Sequence, residues 1–567
     1  MMSDIIFAIV LFSVLVLLAV LLGKFMSRVF EGTRTFLTPV FSPLEKLIYM
    51  LCRIDPSEEM NWVKYAFALV WFNLAGFLLL FIIQLVQGIL PFNPQKFGAV
   101  RWDTALNTAI SFMTNTNWQA YAGESTLSYF TQMVGLTVQN FVSAATGFGV
   151  MLALFRGFTR KTTDNIGNFW VDMTRAVLYV LIPLSIVWAV ILSSQGVIQT
   201  LGGYVNAITL QGHNQVIAVG PVASQEAIKM LGTNGGGFFN VNSAHPFENP
   251  NWFTNFMELL AIMLLPASLP FTMGYMFKSR KKGWAMFMAM FILLIVGIVF
   301  SVYTENKGNP IFSKAGIIHG VNMEGKETRF GVFTSVLWGV TTTAIANGSV
   351  NAMHDSFLPL TAIFPMFNML IGEVIFGGVG VGIIGMLFYA FMTMFLAGLM
   401  IGRTPEIYNK KLEVREMIWT LVGIITGPLC ALIFTAAACM LKDGLAGLNN
   451  GGPHGFSEML YAFASAHGNN GSAFAGLNAN TPFYNLMTGA AMLIGRFATI
   501  IPALIIAGSL AKKKFIPDTA ATFQTTTPLY VVMLVSVVVI FGGLTFFVPF
   551  VLGPILDHLL MFAGHLY

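Results

Sequence analysis

Four short stretches carry the same chemistry: TNTNW at 114–118, TNGGG at 233–237, ANGSV at 346–350 and NNGSA at 469–473. Each is made of Asn, Thr, Ser, Gly and small or apolar residues, with no Asp, Glu, Lys or Arg. The residues of interest are Thr114, Asn115, Thr116 and Asn117; Thr233, Asn234, Gly235 and Gly236; Ala346, Asn347, Gly348 and Ser349; and Asn469, Asn470, Gly471 and Ser472. Such stretches offer neutral oxygens, above all backbone carbonyls. Glycine lets a strand turn those carbonyls inward through angles closed to other residues. Neutral oxygens suit a dehydrated monovalent cation. A divalent ion calls for carboxylates, and a phosphate or carboxylate ligand calls for Arg or Lys.

The stretches recur with a period. TNGGGFFNVNSAHPFEN (233–249) aligns without a gap on NNGSAFAGLNANTPFYN (469–485), at an offset of 236. Asn234 matches Asn470, Gly235 matches Gly471, and Pro246 matches Pro482. Half that offset predicts further members near 117 and 353, where TNTNWQAY (114–121) and ANGSVNAMHDS (346–356) stand. With Thr116, Gly235, Gly348 and Gly471 as equivalents, the spacings are 119, 113 and 123. In this register Thr116 replaces a glycine. A β-branched residue is strained in a left-handed conformation, so that loop adopts other angles or the ring is uneven. NNGG at 449–452 breaks the period and is set aside.

The elements that must hold these loops follow from composition. Of 567 residues 56% are hydrophobic and only 10% charged, with a mean hydropathy of +0.74. Soluble domains carry about 25% charged residues, so this is an all-α polytopic membrane protein in contact with lipid. About ten apolar runs can cross a core of roughly 30 Å: near 5–23, 65–90, 128–155, 173–193, 255–277, 284–303, 357–400, 417–440, 484–510 and 528–553. Met1–Asp4 carries no Lys or Arg ahead of the first run, unlike a secretory signal, so the run reads as a retained span. Alternate loops hold 20 Lys and Arg against 8 in the others, which places both termini outside. The net charge of +5 therefore follows topology and signals no nucleic acid. Cys52, Cys430 and Cys439 read as unpaired thiols.

Segments 104–113, 222–231, 335–345 and 456–466 are helical in character and too short to span. Asp103 and Ser457 are expected N-caps of the first and fourth. The unit is span, re-entrant helix, polar loop, span. It predicts four membrane–pore–membrane repeats around a pseudo-fourfold axis, a potassium-channel-like arrangement, with the path at the repeat interface. The expected division is 1–62 for the first transmembrane helix and its cytoplasmic loop, 63–160 for repeat 1, 161–280 for repeat 2, 281–403 for repeat 3, 404–514 for repeat 4 and 515–567 for the last transmembrane helix. Irregular backbone at membrane depth survives only inside protein or along a wet cavity. Four such loops can replace an ion's hydration shell with a ring of carbonyls.

Other residues draw notice by cost. Arg496 lies deep in a span, where a charge is a functional candidate. It could repel a cation, pair with a carboxylate or hold a seam to a partner, and Glu373 is a candidate partner or ion-path carboxylate. Glu258 reads as a span-edge residue. Gly377, Gly378, Gly380 and Gly382, in GGVGVG at 377–382, break the seventh run. They mark a packing site or, as favoured here, a gate under the filter. Gln119 could hydrogen-bond at the filter mouth or be structural. The eight histidines show no zinc spacing, so no transition metal is expected. His245, His354 and His467 read as braces for the filter loops.

GTNGGGFFNVNSAHPFENP, TNTNWQAY, ANGSVNAMHDS, NNGSAFAGLNANTPFYN and GLMIGRTPE (398–406) resemble the potassium-binding A subunit of the bacterial Kdp potassium pump, over nearly the whole chain. The resemblance implies membership of a P-type ATPase complex in the bacterial plasma (inner) membrane. In that complex the chain selects K+ and passes it sideways to a separate ATP-hydrolysing catalytic subunit. The resemblance also implies two smaller partners, a single-span subunit and a very small lipid-like peptide. The chain itself has no DKTG and no G-x-x-x-x-G-K-[ST] motif, so no ATP binding is expected here. The alternative is a stand-alone potassium channel or symporter of the same superfamily.

Overall fold

Helix starts in this chain are set by short polar residues just ahead of apolar runs. Asn251 accepts from the N–H groups of Phe253 and Thr254, and its own N–H donates to the Thr254 hydroxyl, closing a capping box on helix Trp252–Met276. Thr481 and Thr527 each cap a helix whose next residue is proline, where a missing N–H costs nothing. The computed structural model describes residues 2–314, 316, 321–402, 404–517 and 523–564. Arg403, within GLMIGRTPE and among the inner-loop cations, lies outside the described residues.

Among the described residues ten helices are long and apolar enough to cross a membrane: Met2–Phe30, Trp62–Ile89, Thr131–Thr159, Phe169–Ser194, Trp252–Met276, Arg280–Phe312, Val381–Met400, Val414–Met440, Pro482–Lys512 and Pro528–Ala563. Four shorter helices precede the polar loops: Trp102–Met113, Val222–Leu231, Gly331–Ala344 and Gly452–Gly468. Each lies between two spans, so the unit read from the sequence occurs four times, with one span added at each end.

Within each unit the two spans differ. The second span is 61 to 89% buried across the four units, and the first only 22 to 56%. The second spans and the short helices therefore build the centre, and the first spans form the lipid-facing ring. This follows from composition. Small and polar residues such as Ser143, Ala144, Ala145, Thr146 and Gly147 in Thr131–Thr159 allow close helix approach, whereas Trp62–Ile89 is mostly large and apolar.

Three local expectations change. Asp103 is not a cap: it lies one residue inside Trp102–Met113 and holds Arg101 and Asn485. Ser457 lies in the second turn of Gly452–Gly468 and bonds back to the Pro453 carbonyl, because proline at the helix start lets that helix begin earlier. The seventh run is two helices, Pro359–Leu370 and Val381–Ile401. The break opens at Ile371, ahead of GGVGVG, since Gly372, Glu373, Phe376, Gly377 and Gly380 all have positive φ. Val381 and Gly382 already belong to the second helix.

Candidate functional site

Each short helix runs directly into its polar strand, and one bond fixes the exit. The N–H groups of Thr116, Asn234, Asn347 and Asn470 donate to the carbonyls of Ser111, Lys229, Thr342 and Ser465, each five residues back. Carbonyl-rich helix C-termini carry partial negative charge, and here all four end at the strands.

This shared bond corrects the alignment of the first strand. Thr116 is the structural counterpart of Asn234, Asn347 and Asn470, and Asn117 is the counterpart of Gly235, Gly348 and Gly471. The backbone agrees: Asn117 has φ 52°, against 71°, 81° and 98° for the three glycines. Asn115, Thr233, Ala346 and Asn469 share a second left-handed position, with φ of 66°, 49°, 54° and 61°. Thr116 is thus unstrained. Asn fills the left-handed place because its short polar side chain tolerates that region.

The strands meet edge to edge in a ring. A Cβ at Gly235 would overlap the Asn347 carbonyl, one at Gly348 the Asn470 carbonyl, and one at Gly471 the Thr116 carbonyl. The ring closes between strands 1 and 2 through side chains: Asn115 Nδ2 donates to Thr233 O at 3.0 Å and Asn117 Nδ2 to Gly235 O at 3.1 Å. Among the described residues nothing donates to the carbonyls of Thr116, Asn234, Asn347 and Asn470. Gln119 is a brace between strands 1 and 2: it accepts from Gly237 N and donates to Gly237 O, both at 2.9 Å.

Behind the ring, side chains of the short helices hold the outer end of each strand. Ser111 Oγ donates to Trp118 O at 3.0 Å, Lys229 Nζ to Gly236 O at 2.7 Å, and Trp338 Nε1 to Ser349 O at 2.8 Å. In the fourth unit Tyr461 OH meets Ser472 Oγ at 2.9 Å and His354 Nδ1 at 2.8 Å. His354 is therefore a brace, and His245 stacks on Phe239 with ring centroids 3.8 Å apart. His467 packs against Gly427 and Gly495.

Sequence reasoning missed Lys229, which counted there only as a loop charge. It is fully buried and pairs with Glu226 and with Glu248 at 2.7 Å, while Glu248 Oε1 accepts from Phe239 N. Glu258, read as a span-edge residue, is completely buried in the same neighbourhood, beside Glu226, Lys229 and Ser243. The signal was present: a Lys three residues after a Glu inside an apolar segment is a pair on one helix face. Lys229→Met should weaken ion binding and lower thermal stability, because it frees the Gly236 carbonyl and strands two carboxylates, a loss of about 3–5 kcal/mol for a broken buried pair. Ion titration and melting of the purified chain check this, with Lys229→Arg as the charge-preserving control. Unchanged ion affinity in a folded Lys229→Met protein would remove Lys229 from the support of the strand.

Below the ring lie the remaining residues singled out from sequence. Val379 N donates to Thr233 Oγ1 at 2.9 Å and Gly377 N to Ala344 O at 3.2 Å. A Cβ at Gly378 would sit 3.3 Å from the Ala346 side chain. Gly380 abuts the backbone of Gly147, and Gly382 that of Phe376 and Gly377. The broken segment is thus pressed against strands 2 and 3 from underneath. Glu373 is buried beside Gly468 and Asn470 at the foot of strand 4.

Arg496 does not pair with Glu373. It points to the second span of unit 1, donating to Ser143 O at 3.0 Å and Thr146 Oγ1 at 3.1 Å, and has no carboxylate partner among the described residues. The Ser143 hydroxyl in turn donates to Asn115 Oδ1 at 2.7 Å. Arg496 is therefore one residue removed from strand 1.

Four membrane–pore–membrane units around a ring of strands define a transport protein of the potassium-channel-like class. The solved potassium transporter TrkH from Vibrio parahaemolyticus shares the fold, with a TM-score of 0.50 at 14% identity, covering 88% of this chain and 98% of that one. The family model described as potassium-transporting ATPase A subunit matches residues 9–559, and the chain belongs to that family. Among its relatives, the potassium-transporting ATPase potassium-binding subunit of Mesorhizobium japonicum is 55% identical, over 96% of both chains. That of Brucella anthropi is 52% identical over 98% of both.

Proposed function

We propose that the four strands form the potassium filter of an ATP-driven uptake pump, and that this chain is its ion-selecting subunit. One observation carries the reading: among the described residues the carbonyls of buried Thr116, Asn234, Asn347 and Asn470 have no donor, although nearly all buried carbonyls are paired. Oxygens of this kind substitute for the hydration shell of a K+ entering from the outer side. The filter residues are Thr114–Asn117, Thr233–Gly236, Ala346–Ser349 and Asn469–Ser472, set in repeats bounded at 63–160, 161–280, 281–403 and 404–514.

The segment with Gly377, Gly378, Gly380 and Gly382 acts as the gate. A pump needs one, since an open pore would dissipate its gradient. With straight passage blocked, the ion leaves past Glu373 to a P-type ATPase catalytic subunit, which hydrolyses ATP. The complex is completed by a small single-span subunit and a very small lipid-like peptide. It sits in the bacterial plasma membrane, with both termini of this chain outside. The expected result is potassium-stimulated ATP hydrolysis by the purified complex and none by this chain alone. Potassium flux through the chain alone in vesicles, without ATP, would favour the channel reading instead.

A further inference from the structure

At the outer face, Asp355 follows the third strand, His454 and Glu458 lie one turn apart on Gly452–Gly468, and Asp557 lies in the last helix. His and Glu at i and i+4 share a helix face, so both side chains meet the loop that carries Asp355. One ligand atom from each of Asp355, His454 and Glu458 lies within 4.8 Å of the other two. His454 Nε2 is 3.1 Å from Asp355 Oδ1, and His454 Nδ1 is 2.9 Å from Asp557 Oδ2.

Two observations point to a ligand. Glu458 is 0% exposed, and among the described residues its Oε2 has no hydrogen-bond partner, while Oε1 accepts from Asn450. Gly476 faces the cluster without a side chain: a Cβ there would overlap Glu458 Oε1 and lie 2.8 Å from Asp355 Oδ2. The charge is also unbalanced. Among the described residues no Lys or Arg pairs with Asp355, Glu458 or Asp557, and the one imidazole pairs with two of these three carboxylates, Asp355 and Asp557.

We infer that Asp355, His454 and Glu458 form a binding site for a divalent transition-metal ion, with Asp557 as the residue that orients His454. Imidazole nitrogen and carboxylate oxygen are both zinc ligand types, at about 2.0–2.2 Å per bond, and three protein ligands leave a fourth position open. A carboxylate on the second imidazole nitrogen is the usual outer partner of a metal-bound histidine. Asp355 and His454 keep 10% and 19% side-chain exposure, which gives the ion a way in. The site was illegible as zinc spacing because its ligands come from distant segments, 99 residues apart at Asp355 and His454.

A bound ion would clamp the loop after the third strand to the fourth pore helix.

The test uses the purified full chain in detergent, stripped with chelator and dialysed against Zn2+ alone. One zinc per chain is expected at micromolar concentration, with X-ray absorption showing one nitrogen and the rest oxygen. Glu458→Gln should weaken binding at least tenfold, and Asp557→Asn roughly 10- to 100-fold. Gly476→Ala is the second probe of the same space and should also weaken binding. Absence of stoichiometric zinc in the wild type, or equal affinity in folded Glu458→Gln and Gly476→Ala, overturns the site.

Discussion

Gly235→Ser is expected to weaken potassium binding by roughly ten- to hundredfold and to relax the rejection of smaller cations. Two costs add. Gly235 has φ 71°, where a side chain costs about 1–3 kcal/mol. Its Cβ would also overlap the Asn347 carbonyl, one of the four without a donor, so strand 3 must move. Each 1.4 kcal/mol is a factor of ten in affinity. Titration of the purified complex with K+, Rb+ and Na+ reads the effect. Gly543→Ala is the control, since a Cβ there meets nothing within 4 Å. Unchanged affinity and selectivity in Gly235→Ser would remove Gly235 from the filter.

Arg496→Ala should cut transport by about tenfold or more while changing apparent ion affinity less. The guanidinium holds Ser143 O and Thr146 Oγ1, and hydrogen bonds to charged groups contribute about 1.5–3 kcal/mol. Ser143 passes that constraint to Asn115. No carboxylate pairs with Arg496 among the described residues, and under the proposed function its charge would act on an ion that has passed the ring. Uptake measured beside potassium-stimulated ATP hydrolysis separates the roles: hydrolysis that persists while uptake falls marks a coupling residue. Normal uptake with normal coupling would reduce Arg496 to a packing role.

The spans and units were legible because hydropathy and period are one-dimensional signals. Nine apolar runs each hold one long helix, the seventh holds a short helix and a long one, and the four polar strands lie where the period put them. The register of the first strand was not legible. Sequence alignment compares residue types, whereas the structure equates residues by the N–H that bonds five residues back, and Asn117 occupies a glycine's conformation without being one. Lys229 was hidden for a related reason. A buried lysine reads like a loop lysine until Glu226 and Glu248 close around it. A pair between Arg496 and Glu373 was one reading open in sequence, but Arg496 on its helix and Glu373 in the break between two helices face different neighbours.

The Thr233 hydroxyl has a further consequence. It donates to the Gly232 carbonyl at the end of the second short helix and accepts the Val379 N–H of the broken segment. Under the proposed function, in which the strands hold the ion and the segment is the gate, occupancy and release are linked quantities, and linkage is reciprocal: whatever an ion does to the segment, the segment does to the ion. A single net hydrogen bond of about 0.5–1.5 kcal/mol bounds this link at roughly a two- to thirteenfold effect. Tighter interlocking of ion occupancy and opening must therefore draw on other contacts, and a partner protein that displaces the segment would loosen the ion as it does so.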